Sequence, residues 1–163
     1  MKGLFITGTN TDIGKTLWSA YLLARSRGIY WKPIQCGKPY DSAPNNTGRL
    51  WIVEGAGGVL VPLNDTHMMV DMISMMCLPV IIVASTRLGT INHTLLTIEA
   101  LRTRHVFPRG VVLYGEQDED NHHAIEHYGN IKVLSTMCVH KPIRHITDQD
   151  VHITHHMPSW WTL

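Results

Sequence analysis

The segment Gly8-Thr9-Asn10-Thr11-Asp12-Ile13-Gly14-Lys15-Thr16 gathers residue types that can hold a phosphate chain. Glycines let backbone amides turn toward an anion, and a helix opening at Lys15 adds the partial positive charge of its amino terminus. Lys15 can reach β- and γ-phosphates, and the Thr16 hydroxyl suits Mg²⁺. Asp12, Ile13, Gly14 and Leu17 complete the expected nucleotide-binding set. The spacing is a variant. Five residues separate Gly8 from Gly14, where the usual loop has four, so Thr9 stands at the usual first-glycine position.

Three further segments carry chemistry. Glu54-Gly55-Ala56-Gly57-Gly58 offers a carboxylate that can hold Mg²⁺ directly or through water, followed by glycines that admit a close ligand. Lys32, in Lys32-Pro33-Ile34-Gln35-Cys36-Gly37, can neutralise charge on a transferring phosphoryl group if it points into a phosphate cleft. Standing alone it would be a surface lysine before a turn. Leu88-Gly89-Thr90-Ile91-Asn92-His93 precedes a helix, and its free amides suit a second anion such as a substrate carboxylate.

The elements that must position these residues alternate in type. Leu4 to Ile6 reads as a strand and Lys15 to Arg27 as a helix stopped by Gly28. Strands follow over 29–34 and 50–53, then a helix over 68–76. Residues 79–84 are β-branched and unbroken, as in a strand buried on both faces. A helix over 91–104 precedes a strand within 106–113, a short helix over 124–128 and a strand over 131–134. The expectation is an α/β fold: a mostly parallel sheet with helices on both faces, of the phosphate-loop NTPase kind. The chemical segments then fall at the carboxyl ends of strands. The methionines at 68, 69, 72, 75 and 76 follow helical spacing and read as core.

Composition sets bounds. The 163 residues suit one domain over 1–163, with 138–163 loosely ordered. A net charge of +1 gives no electrostatic reason to expect nucleic acid or a membrane surface as partner. Three cysteines without CxxC spacing fit a reducing compartment, and no targeting or membrane-spanning run is evident, so a cytoplasmic protein is expected. Of eleven histidines, five lie between His140 and His156; their spacing matches no zinc motif and reads as a solvated tail.

Taken in order, these motifs resemble dethiobiotin synthetase, with Val61-Pro62-Leu63 adding to the match. They cover most of residues 1 to 113. The resemblance implies MgATP-dependent ring closure of 7,8-diaminononanoate with CO₂ in a homodimer. It implies that Lys15 and Lys32 are catalytic and that Thr16 and Glu54 hold Mg²⁺. Gly55, Ala56, Gly57 and Tyr114 would line the nucleotide, and Thr11 and Cys36 the substrate. The amides of Gly89, Thr90, Ile91 and Asn92 would serve the substrate carboxylate across the dimer interface. The chain departs from the family in three places. The link over 38–50 is much shorter and holds a single acid, Asp41, where the family carries another magnesium ligand. Cys36 replaces a serine or threonine. Tyr114 replaces an asparagine that reads the base, and would stack on it instead. Two alternatives stand beside this reading: another variant-loop ligase, such as a cobyrinate amidating enzyme, or a nucleotide-binding homologue without turnover.

Overall fold

The computed structural model describes residues 2–35, 41–45 and 48–138, and the backbone of 152–153. Apolar runs form the centre. Strand β1 (Gly3–Gly8) is buried along its whole length, and so is β3 (Trp51–Glu54). With β2 (Ile29–Trp31), β4 (Val80–Ser85), β5 (Gly110–Tyr114) and β6 (Val133–Cys138) they make six parallel strands. A two-residue strand β7 (His152–Ile153) adds antiparallel to β6, giving the order β2-β3-β1-β4-β5-β6-β7. The mostly parallel α/β architecture matches the sequence reading.

Among the described residues, four helices cover the sheet. The strand pleat sends alternate residues to opposite faces. Phe5, Val53, Ile82 and Val111 pack with Met69, Val70 and Ile73 of α2 (Met69–Met76) and with Ile98 and Leu101 of α3 (Thr90–Thr103). Ile125 of α4 (Glu119–Gly129) joins this core. Leu4, Ile6, Ile52, Ile81 and Val83 face the other way, onto Trp18, Tyr21 and Leu22 of α1 (Lys15–Ser26). The methionine-rich helix is partly core as expected: Met69 is fully buried, while Met75 lies exposed.

Several boundaries differ from the sequence reading. Strand β2 stops at Trp31 rather than Ile34 because Pro33 lacks an amide for the ladder. Helix α1 is capped by Arg27 in the left-handed conformation, one residue before Gly28. Strand β5 starts at Gly110, because the Val106 amide closes onto Leu101 and extends the end of α3. Helix α4 starts five residues early, at Glu119: Asp118 caps it by accepting from the Asn121 amide, a polar signal that apolar periodicity does not register. Most of the tail over 138–163 lies outside the described residues, with four of its five histidines; the fifth, His152, is in β7.

The link from β2 to β3 shows no helix or strand among its described residues. The returning chain is pinned at the end of α1. Arg49 donates to the carbonyls of Arg27 and Gly28 at 2.7 and 2.6 Å, and the Ile29 amide donates to Leu50 at 2.7 Å. Trp31 meets Trp51 edge-on with centroids 5.7 Å apart.

Leu22 is fully buried and ties α1, which carries the phosphate loop, to the sheet. Leu22→Ala is expected to lower unfolding free energy by about 2–5 kcal/mol in urea denaturation followed by circular dichroism.

Candidate functional site

The glycine-rich loop leaves β1 at Gly8 and enters α1 at Lys15, as the motif requires. Its two glycines are fixed by space. A Cβ on Gly8 would sit 2.5 Å from Ile13 Cδ1 and 3.1 Å from the Val83 carbonyl oxygen. Gly14 has φ +90°, and a Cβ there would meet the Tyr114 ring at 2.7 Å. Asp12 also takes a positive φ, of 55°. Helix α1 starts without a side-chain cap, so its first-turn amides are available to an anion.

Lys15 is buried in the loop, and its ammonium donates to the Asn10 carbonyl at 2.5 Å. Burial lowers its pKa, an effect opposed by the negative charge of Glu54 and reinforced by the positive charge of Lys32.

Glu54 ends β3 and is fully buried. Its Oε1 accepts from Thr16 Oγ1 at 2.9 Å and from Lys32 Nζ at 2.6 Å, and its Oε2 accepts from Tyr30 Oη at 3.1 Å. Strand register brings these groups together. Tyr30 lies beside Ile52 and Trp31 beside Val53, so the pleat sets Tyr30 and Lys32 on the face that Ile52 and Glu54 share. That is the face covered by α1, which supplies Thr16. Burial, then the charge and hydrogen bond of Glu54, raises the Tyr30 pKa, which keeps the hydroxyl a donor.

Lys15, Thr16, Lys32 and Glu54 open on one cavity of about 520 Å³. Its walls include Thr11, Asp12, Ile13, Gly14, Lys15, Thr16, Leu17, Lys32, Glu54, Ala56, Gly57 and Tyr114. The structure thus brings together nearly all residues of the nucleotide set. Gly55 sits just behind, its amide bonded to the Ile6 carbonyl, where a Cβ would press on Phe5 and Met69. Gln35 also lines the cavity, although only its neighbours in the lysine motif suggested it. Asp41 is exposed, not among the lining residues, and Cys36 lies outside the described residues. Tyr30 was not legible as a site residue from composition, but its spacing of two from Lys32 on a strand is the signal that places it.

Gly89, Ile91 and Asn92 do not share this cavity. They line another, of about 700 Å³, with Thr86, Asp118 and Asn121. Gly89 has φ +92° and opens α3 without a side-chain cap, and Thr90 is buried in the first turn. His93 lies in a third groove, facing Thr9, Asn10 and the turn Gly58 to Pro62. Among the described residues there is no cluster of three histidine, cysteine or acidic side chains, and no helix is long and apolar enough to cross a membrane.

Comparison with known proteins identifies the family. The family profile described as AAA domain matches residues 2–51 and 42–139. The ATP-dependent dethiobiotin synthetase of Paramagnetospirillum magneticum is 38% identical over 178 aligned positions, covering 83% of this chain and 87% of that protein. The corresponding synthetase of Brucella melitensis is 34% identical, covering 82% of this chain and 84% of its own length. A biotin biosynthesis bifunctional protein of Bordetella avium is 36% identical over 82% of this chain and 39% of that protein. Solved structures share the fold. A ParA family ATPase from Chlorobium tepidum superposes with a TM-score of 0.56 at 10% identity, over 86% of this chain and 85% of the other. The MinC:MinD cell division complex of Aquifex aeolicus gives 0.56 at 12% identity, over 85% and 81%. The sheet is therefore of the phosphate-loop NTPase kind, and by sequence this chain belongs to the ATP-dependent dethiobiotin synthetase family.

Proposed function

We propose that this chain uses ATP to close 7,8-diaminononanoate and CO₂ into dethiobiotin. The observation that carries the reading is the convergence of Lys32 and Thr16 on the buried Glu54 carboxylate, with Lys15 in the same cavity at the phosphate loop. Family membership supplies the substrate.

One amine of the substrate adds to CO₂ and loses a proton, giving a carbamate. A carbamate oxygen attacks the γ-phosphorus and ADP leaves, giving a carbamic-phosphoric anhydride. The second amine attacks the carbonyl carbon and loses a proton, the ureido ring closes, and phosphate departs. No covalent bond to protein is required, so catalysis rests on positioning and on charge. The amides at the start of α1, with Lys15, hold the phosphate chain. Lys15 exchanges the Asn10 carbonyl for phosphate oxygens. Lys32 leaves Glu54 to neutralise the transferring phosphoryl group and the carbamate beside it.

The residues fit magnesium. A threonine hydroxyl and a carboxylate are hard oxygen donors, and magnesium typically takes one or two carboxylates beside phosphates and water. Thr16 and Glu54 would hold it, and bound there it would offset charge on the phosphates. In this reading Thr11 and Cys36 would serve the substrate, and Tyr114, packed on Gly14, limits the nucleotide pocket from β5. In a homodimer, the amides of Gly89, Thr90, Ile91 and Asn92 hold the substrate carboxylate in the partner's site. Their separation from the phosphate cavity within one chain supports that division. The small-molecule substrates and the lack of a spanning helix among the described residues suit a cytoplasmic enzyme.

One observation favours a second reading, a nucleotide-binding homologue without turnover. The alignment with the Paramagnetospirillum relative runs over 178 positions yet uses 83% of this chain, so that relative carries residues within the matched region that are absent here. The family profile matches in two parts that overlap over 42–51, which supports a difference in the link between β2 and β3.

Phosphate release that depends on diaminononanoate, ATP and bicarbonate together is the expected result, with dethiobiotin identified by mass spectrometry. MgATP binding without any such release would establish the second reading. Lys15→Ala should abolish measurable ATP binding by calorimetry. Lys32→Ala should leave ATP affinity nearly intact and lower kcat by about 10²–10³-fold; unimpaired turnover in both variants would refute the assigned roles.

A further inference from the structure

Glu54 presents its two carboxylate oxygens to different kinds of partner. Oε1 faces an ammonium and a hydroxyl, Lys32 and Thr16, whereas Oε2 faces one neutral phenol, Tyr30. We propose that Tyr30 is a positioning residue for the metal–nucleotide site: by occupying Oε2 it leaves Oε1 as the oxygen offered to the cation that accompanies the nucleotide. The inference rests on reading Glu54 as a magnesium ligand and is independent of the organic substrate.

The physical case has three parts. The terminal torsion of a glutamate is soft, so a carboxylate held on one oxygen only can still swing. Magnesium demands a near-octahedral set of oxygens and tolerates misplacement poorly. A hydrogen bond to the second oxygen removes that freedom. Next, the donor on Oε2 carries no charge. An ammonium there would repel an arriving cation, but a phenol stays in place, and Lys32, on a long and partly exposed stem, is free to yield Oε1. Last, the donor is itself well anchored. Tyr30 is the middle residue of β2, in register with Ile52, two residues before Glu54 on the neighbouring strand. Its reach to the carboxylate is set by sheet geometry rather than by a flexible loop.

Tyr30→Phe removes a single hydroxyl and keeps the ring; the residue is 36% exposed. ATP binding is measured by isothermal titration calorimetry twice, in EDTA and in excess Mg²⁺. The ratio of the two dissociation constants reports what the metal adds. In Y30F this ratio should fall about tenfold or more, the usual loss when a partner of a metal ligand is removed. The EDTA value should change by less than about twofold. In a Glu54→Gln background, adding Y30F should change the ratio no further, because a positioning residue acts only through its carboxylate. An unchanged ratio in Y30F would overturn the proposal. So would an equal loss in EDTA, which marks a structural role, or an additive loss in the E54Q background. Failure of the dethiobiotin reading looks different: the metal ratio stays intact while diaminononanoate-dependent phosphate release is absent.

Discussion

The arrangement depends on one buried charge. A carboxylate removed from water costs several kcal/mol unless it is paired and fully hydrogen-bonded. Glu54 meets that requirement with three donors from two separate elements: Thr16 from α1, and Tyr30 and Lys32 from β2 and the residues just after it. A shift of β2 would take Tyr30 from Oε2, and a shift of α1 would cost Oε1 one of its two donors. The order of the sheet follows the same logic. Strand β3 lies between β2 and β1, so its terminal carboxylate sits between the lysine-bearing strand and the strand that feeds the phosphate loop.

Close approach is the second constraint. The loop packs so tightly that Ile13 fills the space beside Gly8 and the Tyr114 ring fills the space over Gly14. On the other side, Gly58 lies near the Thr9 carbonyl, at 3.3 Å from where a Cβ would be, and Gly57 takes φ +64° against Val61. The amides of Met69 and Val70 then tie the turn to the carbonyls of Val61 and Val59. Loop, turn and helix α2 form one braced unit, so the phosphate-binding backbone is set before any ligand arrives. Such preorganisation limits the ordering that binding would otherwise cost.

Much of this was legible in the sequence, for identifiable reasons. Strands β1, β3 and β4 announce themselves as apolar runs because both faces of a parallel sheet are covered. The phosphate loop is legible because its demands are local: glycine where a Cβ cannot fit, and lysine and threonine at a helix start. Helix α4 was half missed because Glu119-Asp120-Asn121-His122-His123 has no apolar stripe and is set by its cap. The end of β2 was overextended because hydrophobic Ile34 outweighed the missing amide of Pro33. Tyr30 carries no local signal for a different reason. Its importance lies in register with another strand, and register between β2 and β3 is fixed by packing across the sheet rather than by either segment alone.

That register bears on how Lys32 can act. A three-residue edge strand paired on one side is weak, and the link that follows it contributes no helix among its described residues. If Lys32 were its main tether, moving the ammonium from Glu54 to a phosphoryl oxygen would loosen the strand that carries it. Other contacts prevent this. Tyr30 keeps the Oε2 bond, Trp31 packs edge-on against Trp51, and the Arg49 guanidinium clamps the carbonyls of Arg27 and Gly28 at the strand entrance. The strand is held by its neighbours and by a neutral hydroxyl, which leaves the lysine charge free to exchange partners. In the proposed reaction that division of labour lets one carboxylate serve both as the structural anchor of an edge strand and as a ligand whose cationic partner can depart.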